Sequence, residues 1–224
     1  MAFFQRTALG VVAALALAGA AQAQSAGSLI ARIGATQISP NTKSGDLTAP
    51  AFPGTQASIG DNTQPTAGLT WMATDQIAID LPLAMGFKHK LYGAGAIAGV
   101  GEIGEVKALP VTLLVQWRFL EPGARVRPYV GLGPTYAKFY KARSTAALTA
   151  LTGGSPSDPT TLKMDSKFTV SAQLGASVAL TEQLGLDLTV LTTPLKTRAT
   201  LSTGQTLDAK VDPTTYSVGL SWKF

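Results

Sequence analysis

From position 27 onward, apolar residues alternate with polar or small ones in stretches of about ten, the length a tilted strand needs to cross a bilayer. In 167–180, Phe168, Val170, Ala172, Leu174, Ala176, Val178 and Leu180 share one face, and Thr169, Ser171, Gln173, Gly175 and Ser177 share the other. Helical spacing would mix these two sets. Leu184, Leu186, Leu188 and Val190 oppose Gly185, Asp187 and Thr189 in the next stretch, and Tyr216, Val218, Leu220, Trp222 and Phe224 alternate through the last. Five further stretches, 27–37, 64–73, 76–86, 106–119 and 127–140, bring the strands to eight. In 106–119, Leu109, Val111, Leu113, Val115, Trp117 and Phe119 lie on one face, with Pro110, Thr112, Leu114, Gln116 and Arg118 on the other. The parity of 127–140 is ambiguous; Val130 and Leu132 are assigned to the apolar side.

The connections alternate in length: short at 74–75, 120–126 and 181–183, long at 38–63, 87–105, 141–166 and 196–211. That rhythm predicts an all-β, eight-stranded antiparallel transmembrane β-barrel with short periplasmic turns and longer external loops, both termini on the periplasmic side. A short helix fits 144–152. The rival architecture is a soluble up-and-down barrel around an apolar interior.

Composition favours the membrane. Only 14% of the 224 residues are charged, against about 25% in an average soluble domain, and mean hydropathy is +0.21. With 0 Cys and 1 His there is no Cys/His zinc site, and His-dependent catalysis would have to run through His89, so a non-enzymatic protein without cofactor or metal is expected. The net charge of +5 is spread without a basic, aromatic-interleaved run, which argues against nucleic acid. The basic start at 1–6, the apolar run 8–20 and Ala21-Gln22-Ala23 read as a cleaved signal peptide. The expected layout is 1–23 export signal and 24–224 barrel, in the outer membrane of a bacterial cell.

Several constellations carry candidate chemistry. Gly99-Val100-Gly101-Glu102-Ile103-Gly104 fits G-x-G-x-x-G but lacks the following helix that dinucleotide binding requires, so it reads as an external loop. His89, between Lys88 and Lys90, is either an anion site for lipopolysaccharide phosphate or a solvated loop entry. Asp80 and Asp187 have inward parity, as do Arg32 and Arg118, their natural partners. The lumen and solute path is placed at Asp80, Pro82, Pro110, Thr112, Leu114 and Gln116. Prolines 82, 110 and 134 lack the N–H of a ladder bond, so they mark weak seams or plain bulges. Trp71, Trp117, Tyr129 and Trp222, with Phe224, form the expected aromatic girdle. The ending Tyr216, Val218, Leu220, Trp222, Phe224 resembles the terminal signal read by the barrel assembly machinery.

Several blocks in order resemble the outer membrane protein W family of eight-stranded barrels: Thr70-Trp71-Met72-Ala73-Thr74-Asp75, Phe87-Lys88-His89-Lys90, Leu109-Pro110-Val111-Thr112 with Gln116-Trp117-Arg118-Phe119, Arg127-Pro128-Tyr129-Val130-Gly131-Leu132-Gly133, and Asp212-Pro213 before the last strand. The first and third external loops do not match in detail. The resemblance implies a monomeric, narrow barrel in contact with outer-membrane lipids and lipopolysaccharide, with an apolar lumen that passes small hydrophobic molecules and releases them sideways through the wall. Where family members place a bulky aliphatic plug, this chain has Pro82. The alternative function is a plugged structural barrel whose external loops bind envelope, phage or host partners.

Overall fold

The computed structural model describes residues 24–224; the expected signal peptide, 1–23, lies outside the described residues. In chain order the strands are β1 (Leu29–Ser39), β2 (Lys43–Ser44), β3 (Thr55–Ile59), β4 (Asn62–Met72), β5 (Ile77–Ala84), β6 (Phe87–Gly95), β7 (Glu102–Thr112), β8 (Leu114–Arg118), β9 (Val126–Ser144), β10 (Leu162–Met164), β11 (Lys167–Ala179), β12 (Leu184–Thr192), β13 (Lys196–Leu201), β14 (Thr206–Lys210) and β15 (Thr214–Lys223). Helix α1 (Ala146–Leu151) falls within the stretch expected to be helical.

The wall is antiparallel throughout. β1 pairs with β4, β4 with β5, β5 with β8, β8 with β9, β9 with β11, β11 with β12 and β12 with β15, and β15 returns to β1. Eight strand positions therefore close a cylinder, which removes the free edges an open sheet would expose. β7 prolongs the β8 position across a break at Leu113, and β6 prolongs β5 beyond 85–86.

Alternation decides which side chains meet lipid. Ile33, Val115, Leu132, Val170 and Leu174 point outward and are at least half exposed, an apolar surface of the kind a bilayer covers and water would not tolerate. Val130 and Leu132 belong to this outward set.

The long connections are largely sheet, which differs from the loops expected at 38–63, 87–105 and 196–211. β6 and β7 pair from Phe87–Ala108 outward, and β13 and β14 form a hairpin that joins β10 and β2 in a second sheet. The reason is an inversion of the pattern. Beyond the membrane the outward face turns polar, with Lys88 paired to Glu105 at 2.5 Å and Lys90 to Glu102 at 2.8 Å, while the inward face becomes apolar. Leu91, Ile103, Leu148, Met164, Leu201 and Leu207 pack there into one buried cluster, so the external half has a core like that of a water-soluble domain. The Gly99–Gly104 motif spans the end of the β6–β7 turn and the first residues of β7: Gly99 and Gly101 have φ of +93° and +87°, the left-handed region glycine enters freely, and the motif runs into a strand rather than a helix.

Candidate functional site

The lumen is divided into a packed floor and an open upper cavity. In the floor, Arg32 Nη2 of β1 donates to Asp80 of β5 at 2.6 Å, and its Nε stands 3.8 Å from Asp187 of β12. Thr70 donates to Asp80 at 2.5 Å, while Asp187 accepts from Tyr129 at 2.9 Å and from Ser177 at 2.8 Å. Arg118 donates to Gln116, to Ser177 and, at 2.6 Å, to Gln24 Oε1, and its guanidinium stacks 4.6 Å from the Tyr129 ring centre. Gln116 donates to Gln173 at 2.7 Å, closing the network onto β11. Inward parity places the strand residues among these groups, and charge pairing with dense hydrogen bonding makes their burial tolerable, with Asp80 Oδ2 left as a buried oxygen without a partner.

The periplasmic end is sealed by the start of the described chain. Gln24 is 4% exposed; its N–H donates to the Pro122 carbonyl, and its own carbonyl accepts from Arg127 at 2.7 Å. Arg127 also donates to the carbonyls of Asp75 and Phe119. An eight-stranded barrel has an interior that side chains nearly fill, and here they fill its lower half.

A belt of hydroxyls lies above the floor. Thr112 bonds Thr135, Thr135 bonds Ser171 and Ser171 bonds Thr193, while Thr36 bonds both Thr66 and Ser217. These groups satisfy one another, so they present mostly methyl and Cβ surface to the space above. That space is a cavity of about 140 Å³ lined by Ile38, Phe87, Val106, Pro110, Phe139 and Leu195, among others. Its size matches an apolar cavity of about 150 Å³ that stays dry and holds benzene.

Beside the cavity the wall has an unpaired seam. The β5–β8 ladder ends at Asp80–Leu114 and the β6–β7 ladder begins at Phe87–Ala108, so 81–86 on one side face 109–113 on the other with no ladder pair between them. Pro82 and Pro110 stand in this gap and lack N–H groups, and the mismatch of one residue shifts the register across it. Pro134, the third proline singled out above, lies instead within paired sheet opposite Val170.

The expected solute path therefore requires correction. Pro82, Pro110 and Thr112 line the cavity, but Asp80, Leu114 and Gln116 are 0% exposed and belong to the floor below it. Tyr129 is a second correction. It is 0% exposed and bonded to Asp187 and Thr189, inside the barrel and not in an outer girdle. Trp71, Trp117 and Trp222 are about half exposed on the outer face near the short-turn end, as are Tyr216, Val218 and Leu220 along β15; Phe224 follows the strand, its N–H bonded to Leu29. His89 is neither a surface anion site nor a solvated loop entry. It is 3% exposed and turned inward, because strand alternation sets it opposite the outward Lys88 and Lys90. Of the parts of the floor that sequence reading missed, Gln173 and Ser177 are polar residues of inward parity on β11, which was their available signal, whereas Gln24 precedes the first strand and carried none. Among the described residues no group of three or more His, Cys, Asp or Glu is placed to hold a metal ion.

Burial pushes the His89 imidazole below its ordinary range, with the Gly60 carbonyl and Asp61 pulling partly back. A folded state that binds this proton less readily than the unfolded chain is unaffected above about pH 6.5 and loses stability as pH falls below it. Thermal denaturation at pH 7.5 and 5.5 is expected to show a larger acid-induced drop for the wild type than for His89→Phe. Equal drops would place the ring in water.

A closed antiparallel eight-stranded cylinder with an apolar outer belt, a polar interior and short turns at one end is an outer-membrane β-barrel. The chain belongs to the OmpW family, whose model matches residues 25–224. Outer membrane protein W of Vibrio cholerae serotype O1 is 30% identical over 222 residues, 96% of this chain and 97% of that one. Among solved structures, OprG from Pseudomonas aeruginosa matches with a TM-score of 0.80 at 27% identity, covering 91% of this chain and 99% of that one. AlkL in lipid bilayers matches with a TM-score of 0.68 at 25% identity over 93% of each chain. The protein resides in the outer membrane, and these relatives are themselves outer-membrane barrel proteins.

Proposed function

We propose that the protein is a passive channel for small hydrophobic molecules, which enter the upper cavity from outside and leave sideways into the membrane between β5 and β7. The observation that supports this most directly is the placement of an apolar cavity above a sealed floor and beside an unpaired seam. A solute in that cavity meets Arg32, Asp187 and Gln173 below, groups already engaged in the floor network, and would have to break charged hydrogen bonds to go straight through. The seam offers no ladder to break. The reading needs no cofactor and no covalent step. Contact with lipopolysaccharide and recognition of the terminal strand by the assembly machinery accompany it as proposals, as does a monomeric barrel.

The test is uptake into vesicles whose outer leaflet carries lipopolysaccharide, because a plain bilayer already admits apolar solutes. Refolded protein is expected to speed entry of toluene over protein-free vesicles and to leave sucrose excluded. Passage of neither would favour a plugged barrel whose external half binds a partner, for which the sealed floor alone suffices; passage of sucrose would require an open floor.

A further inference from the structure

Many of the polar groups around the upper cavity bond one another, and His89 is among those that keep an unused polar atom. The threonine hydroxyls pair along the belt, whereas His89 lines the cavity between Phe87 and Val106 with a single ring nitrogen engaged. Its Nδ1 lies 2.8 Å from the carbonyl oxygen of Gly60. A carbonyl oxygen only accepts, so in the neutral ring Nδ1 carries the proton and Nε2 is an unprotonated acceptor. The two nitrogens flank Cε1, so with Nδ1 taken by Gly60 the acceptor left to a molecule in the space the ring lines is Nε2. Phe87, 6.4 Å away with ring planes inclined at 25°, flanks the imidazole on the same face of β6. The result is a fixed lone pair in an apolar chamber, a group that gains from meeting a hydrogen-bond donor and repels a carboxylate.

We propose that His89 is a solute-recognition residue whose Nε2 accepts a hydrogen bond from the hydroxyl of an apolar solute, so that the cavity prefers phenols and alcohols to hydrocarbons of equal size. This rests on the reading of the cavity as a hydrophobic-solute site and names the chemical class it takes. A site built to hydrogen-bond a hydroxyl discriminates against the analogue that lacks it, because the acceptor is then left without a partner. Burial keeps the ring neutral, which preserves the acceptor at physiological pH.

Toluene and p-cresol differ by one hydroxyl and suit a cavity of this size. Refolded, untagged protein in lipid nanodiscs would be titrated with each, binding being read from the amide signals of Val106 and Ala108. The ring is read from its ¹⁵N signals, which are unambiguous because the sequence contains 1 His. In the free protein Nδ1 is expected to carry the proton, and p-cresol but not toluene is expected to shift Nε2. His89→Phe should weaken p-cresol by about tenfold, the effect of one hydrogen bond of ~1.4 kcal/mol, and leave toluene within about twofold. His89→Gln, which keeps an acceptor at a similar reach, should retain most of the preference. A proton on Nε2, undiminished p-cresol binding in His89→Phe, equal losses for both solutes, or tighter binding of benzoate than of p-cresol would each overturn the proposal. Toluene binding without a p-cresol preference defeats the role of His89 alone, whereas failure of both probes to bind wild type defeats the hydrophobic-solute reading beneath it.

Discussion

Fastening β5 to β7 across the seam is expected to lower toluene uptake by about tenfold or more, corresponding to ~1.4 kcal/mol or more on the transport barrier. The chain has 0 Cys, so Leu83→Cys and Val111→Cys would introduce the only thiols. Both positions are outward, Leu83 at 40% and Val111 at 50% exposure, and the Cα atoms of the two strands come within 8 Å of one another. A short bifunctional methanethiosulfonate would tie them, and reduction would release them. A second pair, Ile79→Cys and Val115→Cys, joins residues that already face each other in the β5–β8 ladder, so its cross-link adds little constraint and should leave uptake unchanged. Loss of flux at the seam, recovery on reduction and indifference at the paired position would together identify a lateral exit. Equal flux with the seam tied would send the solute elsewhere, most directly through a floor that opens.

The strands crossing the membrane were legible because each has a lipid face and a lumen face, and a period of two records that difference in the residues themselves. Outside the bilayer the same period persists with the opposite meaning. Phe87, His89 and Leu91 point inward to an apolar core while Lys88 and Lys90 point to water, so a search for lipid-facing strands reads the segment as loop. Tyr129 shows how a local rule can mislead. Its place near a strand end suits an interfacial aromatic, but the parity that sends Val130 outward turns Tyr129 inward, where Asp187 and Thr189 take its hydroxyl. Arg32 and Asp80 were recognisable as inward charges needing partners. That Asp187 also faces Arg32, while Arg118 turns to Gln24, depends on how strands far apart in sequence are staggered around the closed barrel. Alternation fixes the face of a residue but leaves its height in the lumen to the register, and height separates Pro82 in the cavity from Asp80 in the floor.

The floor should prove to be a coupled unit. Asp80→Leu is expected to destabilise the barrel by about 3 kcal/mol, the lower end of the range for removing one partner of a buried ion pair. Arg32 then keeps Thr70 at 2.8 Å and Asp187 at 3.8 Å, which limits the loss, but its shortest charge-assisted bond is gone and Thr70 loses its acceptor. Removing both charges, as Arg32→Met with Asp80→Leu, leaves no Arg32 cation stranded and fills the space with apolar volume, while Asp187 keeps its hydrogen bonds from Tyr129 and Ser177, so the double variant should be more stable than the sum of its parts predicts. An interaction energy of about 2–3 kcal/mol is expected for groups in direct contact. Urea unfolding in lipid vesicles measures it, with Trp71, Trp117 and Trp222 as reporters because all three lie on the outer face. Additive losses would show that the two side chains act independently and that the floor owes its closure to packing. A strongly non-additive result would show that the inner half is held shut by charge pairing, the condition under which sideways release costs less than passage straight through.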